Sequence, residues 1–572
     1  MREKIQSILK RGWLLFSIVN SIFFAFQIAG FSLFKNPSLE WKPGFCLIIF
    51  SASIIPGIGS GILISWLLSK RKDIEEEAVF AKYEDGWLVE GYRSLGTPVK
   101  KRIPSSFLAW IIIFVSYIPG LLAYYPGICS YDAYIQLEQC ISGEWNGHHP
   151  ILHTLLLNLF WQFGKYGIGD VNIGIFMFVL LQMLCLSGGF AYCIHIMKKL
   201  RCSLGWCVGC LLFAVLFPYN MFISLSVTKA GLFTAAFLPM TVLALYFFTK
   251  KRESMMPERE DIAYVLLLIP AVAFRNNAKY AIIVYMAVVL VTAIVLLIKK
   301  NYRFVLYFRV FVSTLTGLVI ALVLIAAVNK LMDVTQGDRR EMLSIPIQQL
   351  ARTAYDHNAE LEPRDMEVID SFILNEAWRS YDPLISDPVK RHVNTWYALH
   401  YPKKTLGTYL RLLWRYPDEY INAFLAQNAG YLYIFDRSCL DVYGSDNDGR
   451  GFVQTAWAGA MTEYGVSKHP VIPFFFEALE KINYENLIQK IPVLGHLFLP
   501  GYVLWFFVFI TVVFWYRKKY HLIPVSVMVL AFIGTLLLGP TVQMRYIYPV
   551  WVMLPFFLAV VYGRKGNNQS HG

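Results

Sequence analysis

The sequence predicts a mainly α-helical protein that crosses a membrane many times. Two features of composition predict this. Apolar residues make up 56% of the 572-residue chain and charged residues only 16%, and mean hydropathy is +0.47. The third observation is arrangement: apolar runs recur along the chain, separated by short basic loops. This is the pattern of a polytopic membrane protein rather than of a soluble domain. The net charge of +13 does not imply nucleic acid. The cations cluster between apolar runs, as the positive-inside rule requires.

A helical span needs about 20 apolar residues. About twelve segments approach this, near 12–34, 45–69, 106–125, 172–196, 203–220, 231–249, 262–274, 278–298, 304–328, 497–516, 522–540 and 546–562. The first follows a basic stretch, as a signal peptide would. It is too long for such a segment, no A-x-A site follows, and it reads as an anchor. The basic N-terminus (Arg2, Lys4, Lys10, Arg11) belongs in the cytoplasm. Alternation then sends the loops at 70–72, 100–102, 198–201, 250–252, 299–303 and 517–519 to the same side, with the tail carrying Arg564 and Lys565. The expected product is a multi-pass protein of the cell membrane with both termini cytoplasmic. The segment 262–274 is short, hence tilted or broken at Arg275-Asn276-Asn277. The apolar run 149–163 would invert every later loop if it crossed. It is expected to lie along the outer surface with Trp145 and Trp161 at headgroup depth.

Four regions follow: N-terminal spans and a cytoplasmic loop (1–105), a transmembrane core (106–328) with an outer loop at 126–171, an extracytoplasmic domain (329–495), and C-terminal spans (496–572). The domain reads as mostly helical, because SFILNEAWRSY and YLRLLWRYPDEYINAFLAQNAGY carry apolar residues at a spacing near 3.6. The stretch FDRSCLDVYGSDNDGRGF is loop-like. Its Asp436, Asp441, Asp446 and Asp448 lack EF-hand spacing. Trp378, Trp396, Trp414 and Trp457 fit either core packing or stacking on sugars. Of nine cysteines, Cys202, Cys207 and Cys210 lie inside an apolar run, which disfavours a metal site. Cys129 and Cys140 share one loop, where a disulfide is one reading.

Charges at the edge of hydrocarbon are costly and usually have a partner or a purpose. Asp132, Lys229, Arg275 and Arg545 all fall at the outer ends of apolar segments. Asp132 is read either as a general base, as a ligand for a divalent cation, or as a helix cap. Gln136 is its i,i+4 neighbour and a candidate substrate contact. His148 and His149 precede the surface helix, and His153 follows His149 at i,i+4. The readings are zinc, hydrogen bonding to phosphate or sugar, and packing. Lys229, Arg275 and Arg545 suit a phosphate at the membrane surface, with Asn276 and Asn277 as neutral donors. The competing reading is snorkelling to the headgroups. Arg309 falls on the inner side and is excluded.

The order of a span, an outer Asp132, then His149-Pro150 opening a surface helix resembles the first outer loop of the GT-C superfamily of membrane glycosyltransferases, protein O-mannosyltransferases among them. Arg545-Tyr546 with Pro549, in MRYIYP, is similar to an element at the start of a late span in such enzymes, and SVTKAGLF resembles a phosphate-side lysine. Two departures stand out: Ala133 follows Asp132 where the mannosyltransferases carry an acidic pair, and Ala230 follows Lys229. The stretch YPDEYINAFLAQNAGYLY looks like an uncharacterised bacterial family of large membrane proteins. The resemblance implies an inverting transferase. A polyprenyl-phosphate-linked sugar would be the donor, and a glycan, lipid or protein the acceptor. Asp132 would be the base, Lys229, Arg275 and Arg545 would hold the phosphate, and Tyr546 would line the site. The lipid bilayer is a partner and nucleic acid is not. The alternative is a transporter or flippase of lipid-linked glycans. It fits the number of spans, but it predicts repeated halves and mid-membrane charges, neither of which is visible.

Overall fold

The computed structural model describes residues 13–36, 43–70, 106–130, 132–249, 258–337, 339–436, 453–455, 461–492 and 494–563. The basic loops at 71–72, 100–102 and 250–252, the tail after 563, Asp441, Asp446, Asp448 and Trp457 lie outside these residues. The protein is mainly α. It opens with a hairpin, α1 (Trp13–Lys35) and α2 (Pro43–Lys70), followed by α3 (Ser106–Ala123), α4 (Ala133–Ser142) and α5 (Ile151–Gln162). Next come α6 (Val171–Lys199), α7 (Leu204–Leu216), α8 (Pro218–Leu225), α9 (Lys229–Thr249), α10 (Arg259–Ala273), α11 (Ala278–Ile298) and α12 (Phe304–Leu331).

Every segment expected to span is helical, but not every one is a simple span. Among the described residues eight helices are long and apolar enough to cross a membrane. The pair α7–α8 makes a ninth only if its 54° bend is part of one span. Pro218 explains the bend: proline disfavours helix in the residue before it, and Phe217 is extended. α10 is a 15-residue helix that ends before Arg275, so the chain breaks at the expected turn. α9 forms the centre of the bundle and is buried along almost its whole length.

The region after α12 has its own hydrophobic core, including Ile347, Leu350, Ile369, Phe372, Trp378, Leu412 and Tyr420. Its helices are α13 (Ser344–His357), α14 (Pro363–Phe372), α15 (Asp387–Lys390), α16 (Thr395–His400), α17 (Pro402–Arg415), α18 (Pro417–Gln427) and α19 (Ala429–Leu432). Inside it Arg352 pairs with Glu419 at 2.5 Å, and His357 Nε2 lies 3.1 Å from the same carboxylate. The region is mostly helical as expected, with two breaks. The segment 371–381 is not one helix, because Asn375 and Glu376 sit at positive φ. The run 409–431 is broken by Pro417 and again at Asn428 into three helices. Trp378 is core, whereas Trp396 and Trp414 are exposed. The chain continues through α20 (Pro473–Tyr484) and α21 (Leu487–Lys490) to α22 (Pro500–Tyr516), α23 (Ile523–Leu536), α24 (Met544–Trp551) and α25 (Leu554–Tyr562). α22 and α23 are shorter apolar helices.

This second region rests on two loops of the bundle. Thr335 N donates to Trp145 O, and Gly147 N donates to Thr335 O, both at 2.9 Å. Gly337 lets the backbones meet, since a Cβ there would stand 2.9 Å from Gly147 C. On the other side Ser386 N donates to Pro540 O, and Gln427 Nε2 to Gly539 O. These loops lead into His149 and Arg545.

Candidate functional site

A short pairing of extended backbone assembles the site. Ile128 N donates to Leu225 O, and Val227 N donates to Ile128 O, each at 2.9 Å. Gly127 permits the approach, because a Cβ there would meet Val179 Cγ2 at 2.6 Å. From below, Gln182 Nε2 reaches the carbonyls of Ile223, Ser224 and Ser226 at 2.7–3.1 Å. Helical carbonyls left without partners where α8 ends are thereby satisfied. Asp132 then follows four residues after Ile128, and Lys229 three after Ser226. The pairing sets them side by side.

Asp132 Oδ2 lies 3.2 Å from Arg545 Nη1, 3.5 Å from Lys229 Nζ and 3.9 Å from His149 Nδ1. The Asp132 side chain is 30% exposed. It occupies the N-cap position of α4 but makes no capping bond, so the cap reading fails. Burial pushes the Asp132 carboxyl up, but Arg545 and then Lys229 outweigh burial and hold it well below the usual carboxylate range. Lysine can only donate, so Lys229 Nζ at 3.2 Å makes His149 Nδ1 an acceptor and leaves the ring proton on Nε2. Burial and then Lys229 hold His149 well below its ordinary value, hence neutral.

The cations do not snorkel. Arg275 and Arg545 are 6% and 5% exposed. Arg545 Nε donates to Gln543 Oε1 at 2.6 Å, and Nη2 lies 3.3 Å from Tyr546 Oη. The Tyr546 ring stands between two guanidiniums, 5.0 Å from Arg545 and 5.5 Å from Arg275. Phe233 and Phe532 complete an aromatic surround for Arg275 at 5.3 and 5.2 Å. Arg275 Nε donates to Asn277 Oδ1 at 3.1 Å, and no described carboxylate acts on its charge. Burial lowers Arg275 to about 10, so it remains charged at neutral pH. With His149 neutral, Asp132 is the one carboxylate among three cations in the described cluster, which thus holds two positive charges in excess.

Several candidates are redirected. Gln136 is buried and donates to His153 Nδ1 (3.0 Å) and Thr154 Oγ1 (2.9 Å), so it clamps α4 to α5 and does not face Asp132. Asn277 bridges Arg275 to Thr535 Oγ1 at 2.7 Å and positions the guanidinium. Asn276 is exposed, with its amide 3.5 Å from Gly147 O. His148 is exposed and packs edge-on against His149. His149 and His153 turn to different partners, and burial followed by Lys229 pulls His153 down to about 3. Trp161 is 3% exposed and packs in the core. Cys129 and Cys140 are both free and buried. A divalent cation does not fit beside Asp132, since it would share Oδ2 with a lysine and an arginine. Among the described residues no group of three His, Cys, Asp or Glu is placed to hold a metal. Sequence reasoning missed Gln182 and Gln543. Only the proximity of Gln543 to Arg545 was available as a signal.

A model of the family of unknown function DUF6020 matches residues 107–571. The chain belongs to that family. The DUF6020 region contains every residue of the cluster and begins after α1 and α2. No curated protein and no solved structure matches the chain.

Proposed function

We propose that this chain is a membrane glycosyltransferase that moves a sugar from a polyprenyl-phosphate donor to an acceptor hydroxyl on the outer face of the cell membrane, with both termini in the cytoplasm. The observation that carries the reading is the uncompensated positive charge of the buried cluster, above all Arg275. Buried charge is tolerated when it is paired, and an anionic ligand would supply the missing partner. The position of the cluster at the ends of apolar helices supports a ligand whose apolar tail lies in the bilayer. The resemblance of Asp132, His149-Pro150 and Arg545-Tyr546 to GT-C loops supports a sugar phosphate.

In this reading the donor phosphate binds Arg275, Arg545 and Lys229, and takes over the two that hold Asp132. A carboxylate held well below its usual range is a poor base. Losing those cations to the phosphate raises its basicity at the moment it is needed. Asp132 then accepts the acceptor's hydroxyl proton, the oxygen attacks the anomeric carbon, and the bond from that carbon to the phosphate oxygen breaks. The departing phosphate keeps the electron pair and is stabilised by the same cations.

The test is transfer from polyprenyl-phosphate sugars in membranes, comparing wild type with Asp132→Asn at matched expression. The expected loss is about 10²–10⁴-fold, the size of a general-base contribution, with folding retained. Transfer that survives unchanged in Asp132→Asn rules out the mechanism.

A further inference from the structure

The region between α12 and α22 carries an apolar stripe that stays exposed among the described residues. α17 turns Thr408 and Leu412 into its own domain. Its other face shows Leu406, Leu410, Leu413 and Trp414, the last 90% exposed. Their i, i+4, i+7, i+8 spacing makes one continuous stripe. The preceding helix and its end extend the patch with exposed Trp396, Leu399 and Tyr401. A contiguous apolar surface of this kind marks a docking site.

Charge and location identify what covers it. Lys403 and Lys404 are exposed at the start of the stripe, and α17 contains no acidic residue. Arg411 and Arg415 are drawn to Asp365 and Glu362, whereas Lys403 and Lys404 stay exposed, Lys404 over the Tyr401 ring. Cationic residues with Trp and Leu on one helix are the composition of an interfacial membrane helix. The chain after α17 also descends to membrane depth. Gln27, inside the spanning helix α1, donates to Leu432 O at 3.0 Å and accepts from Ile434 N at 2.9 Å. Gln27 lies about 12 Å along the helix from its end at Lys35. α18, which joins α17 to this point, is only about 16 Å long. α17 therefore ends within about two helical turns of the level at which α1 leaves the hydrocarbon.

We propose that α16 and α17 form an interfacial anchor. The Leu406–Leu410–Leu413–Trp414 stripe lies among the acyl chains of the leaflet beneath the domain, and Lys403 and Lys404 bind the phosphates of anionic lipids. This inference is independent of the transferase reading.

The experiment places a benzophenone amino acid at Leu410 or at Trp414 in the full-length protein, with Tyr355 on α13 as an exposed control in the same domain. The protein is reconstituted in nanodiscs of phosphatidylcholine with or without phosphatidylglycerol, irradiated, and analysed by intact mass. Phospholipid adducts are expected at 410 and 414, not at 355, with enrichment of phosphatidylglycerol. Lys403→Glu and Lys404→Glu are each expected to reduce that enrichment about fivefold. The absence of lipid adducts at 410 and 414, or equal yields at 355, overturns the proposal. So does crosslinking in whole membranes that yields protein adducts and no lipid adducts, because the stripe would then be a protein interface.

Discussion

Two of the places where the protein buries arginine between its helices are built differently. Between the starts of α10 and α12, Arg309 meets Asp261. Both side chains are 5–6% exposed, and Nε donates to Asp261 Oδ1 at 3.1 Å. Asp261 also accepts from Glu258 N at 2.8 Å as part of a capping box. One charge answers one charge, and the acid closes a helix end as well. In the other cluster Arg545 and Lys229 share the carboxylate of Asp132, and Arg275 has aromatic rings where an acid would be expected. A balanced buried pair needs nothing further. An unbalanced cluster keeps an energetic demand that a ligand can meet. The difference in compensation, rather than burial itself, separates a structural arginine from a candidate binding residue.

This contrast can be broken by substitution. The largest effect is expected at the balanced pair. Arg309→Ala takes the guanidinium away from the buried Asp261 carboxylate and should cost about 3–5 kcal/mol, read as a large fall in thermal midpoint and in membrane yield. Arg309→Met with Asp261→Leu should recover most of it. Arg275→Ala should act in the opposite sense on stability. Removing an uncompensated charge leaves the thermal midpoint unchanged or higher, while transfer falls about 10²–10³-fold. A loss of midpoint as large as that of Arg309→Ala would show that the two arginines do the same work. Gln543→Ala, which frees Arg545 Nε, should reduce transfer about tenfold, roughly one hydrogen bond to a charged group, without altering expression.

The smallest effect is a pH slope. Folded His149 and His153 both sit below their ordinary value. Their stabilising contribution is therefore complete above the unfolded value near 6.5 and is lost as pH falls below it. Going from pH 7.5 to 5.5 should cost about 1 kcal/mol per histidine. His149→Asn should remove about half of that slope in a thermal unfolding series. Asp132 adds nothing in this window. Its folded value is depressed, so its contribution persists until pH falls below the ordinary carboxylate range.

Much of the architecture was legible in hydropathy. Each expected span is helical, the run 149–163 contains α5, and the break at Arg275 falls where the short tenth helix stops. The positions of Asp132, Lys229, Arg275 and Arg545 at helix ends were legible for the same reason. What remained hidden was long-range. Nothing near Gln136 announces that it turns to α5, and nothing near Gln182 announces that it holds a turn more than forty residues away. Asn375 and Glu376 defeat a helical periodicity because positive φ is a backbone property that apolar spacing does not encode. Trp161 reads as an interfacial residue from its flanks, yet neighbouring helices enclose it.

The pairing of Ile128 with Ser226 has a consequence for how such a sequence can change. The cluster is held by two counted spacers, four residues from Ile128 to Asp132 and three from Ser226 to Lys229. Cys129, Ser130, Val227 and Thr228 within them are buried, so exchanges there must keep both the count and the volume. A single inserted or deleted residue in either spacer would carry one charge away from the other, whatever its identity. Tolerance to volume-conserving substitution with intolerance to any change of length is thus the signature to expect of these two stretches under mutational scanning.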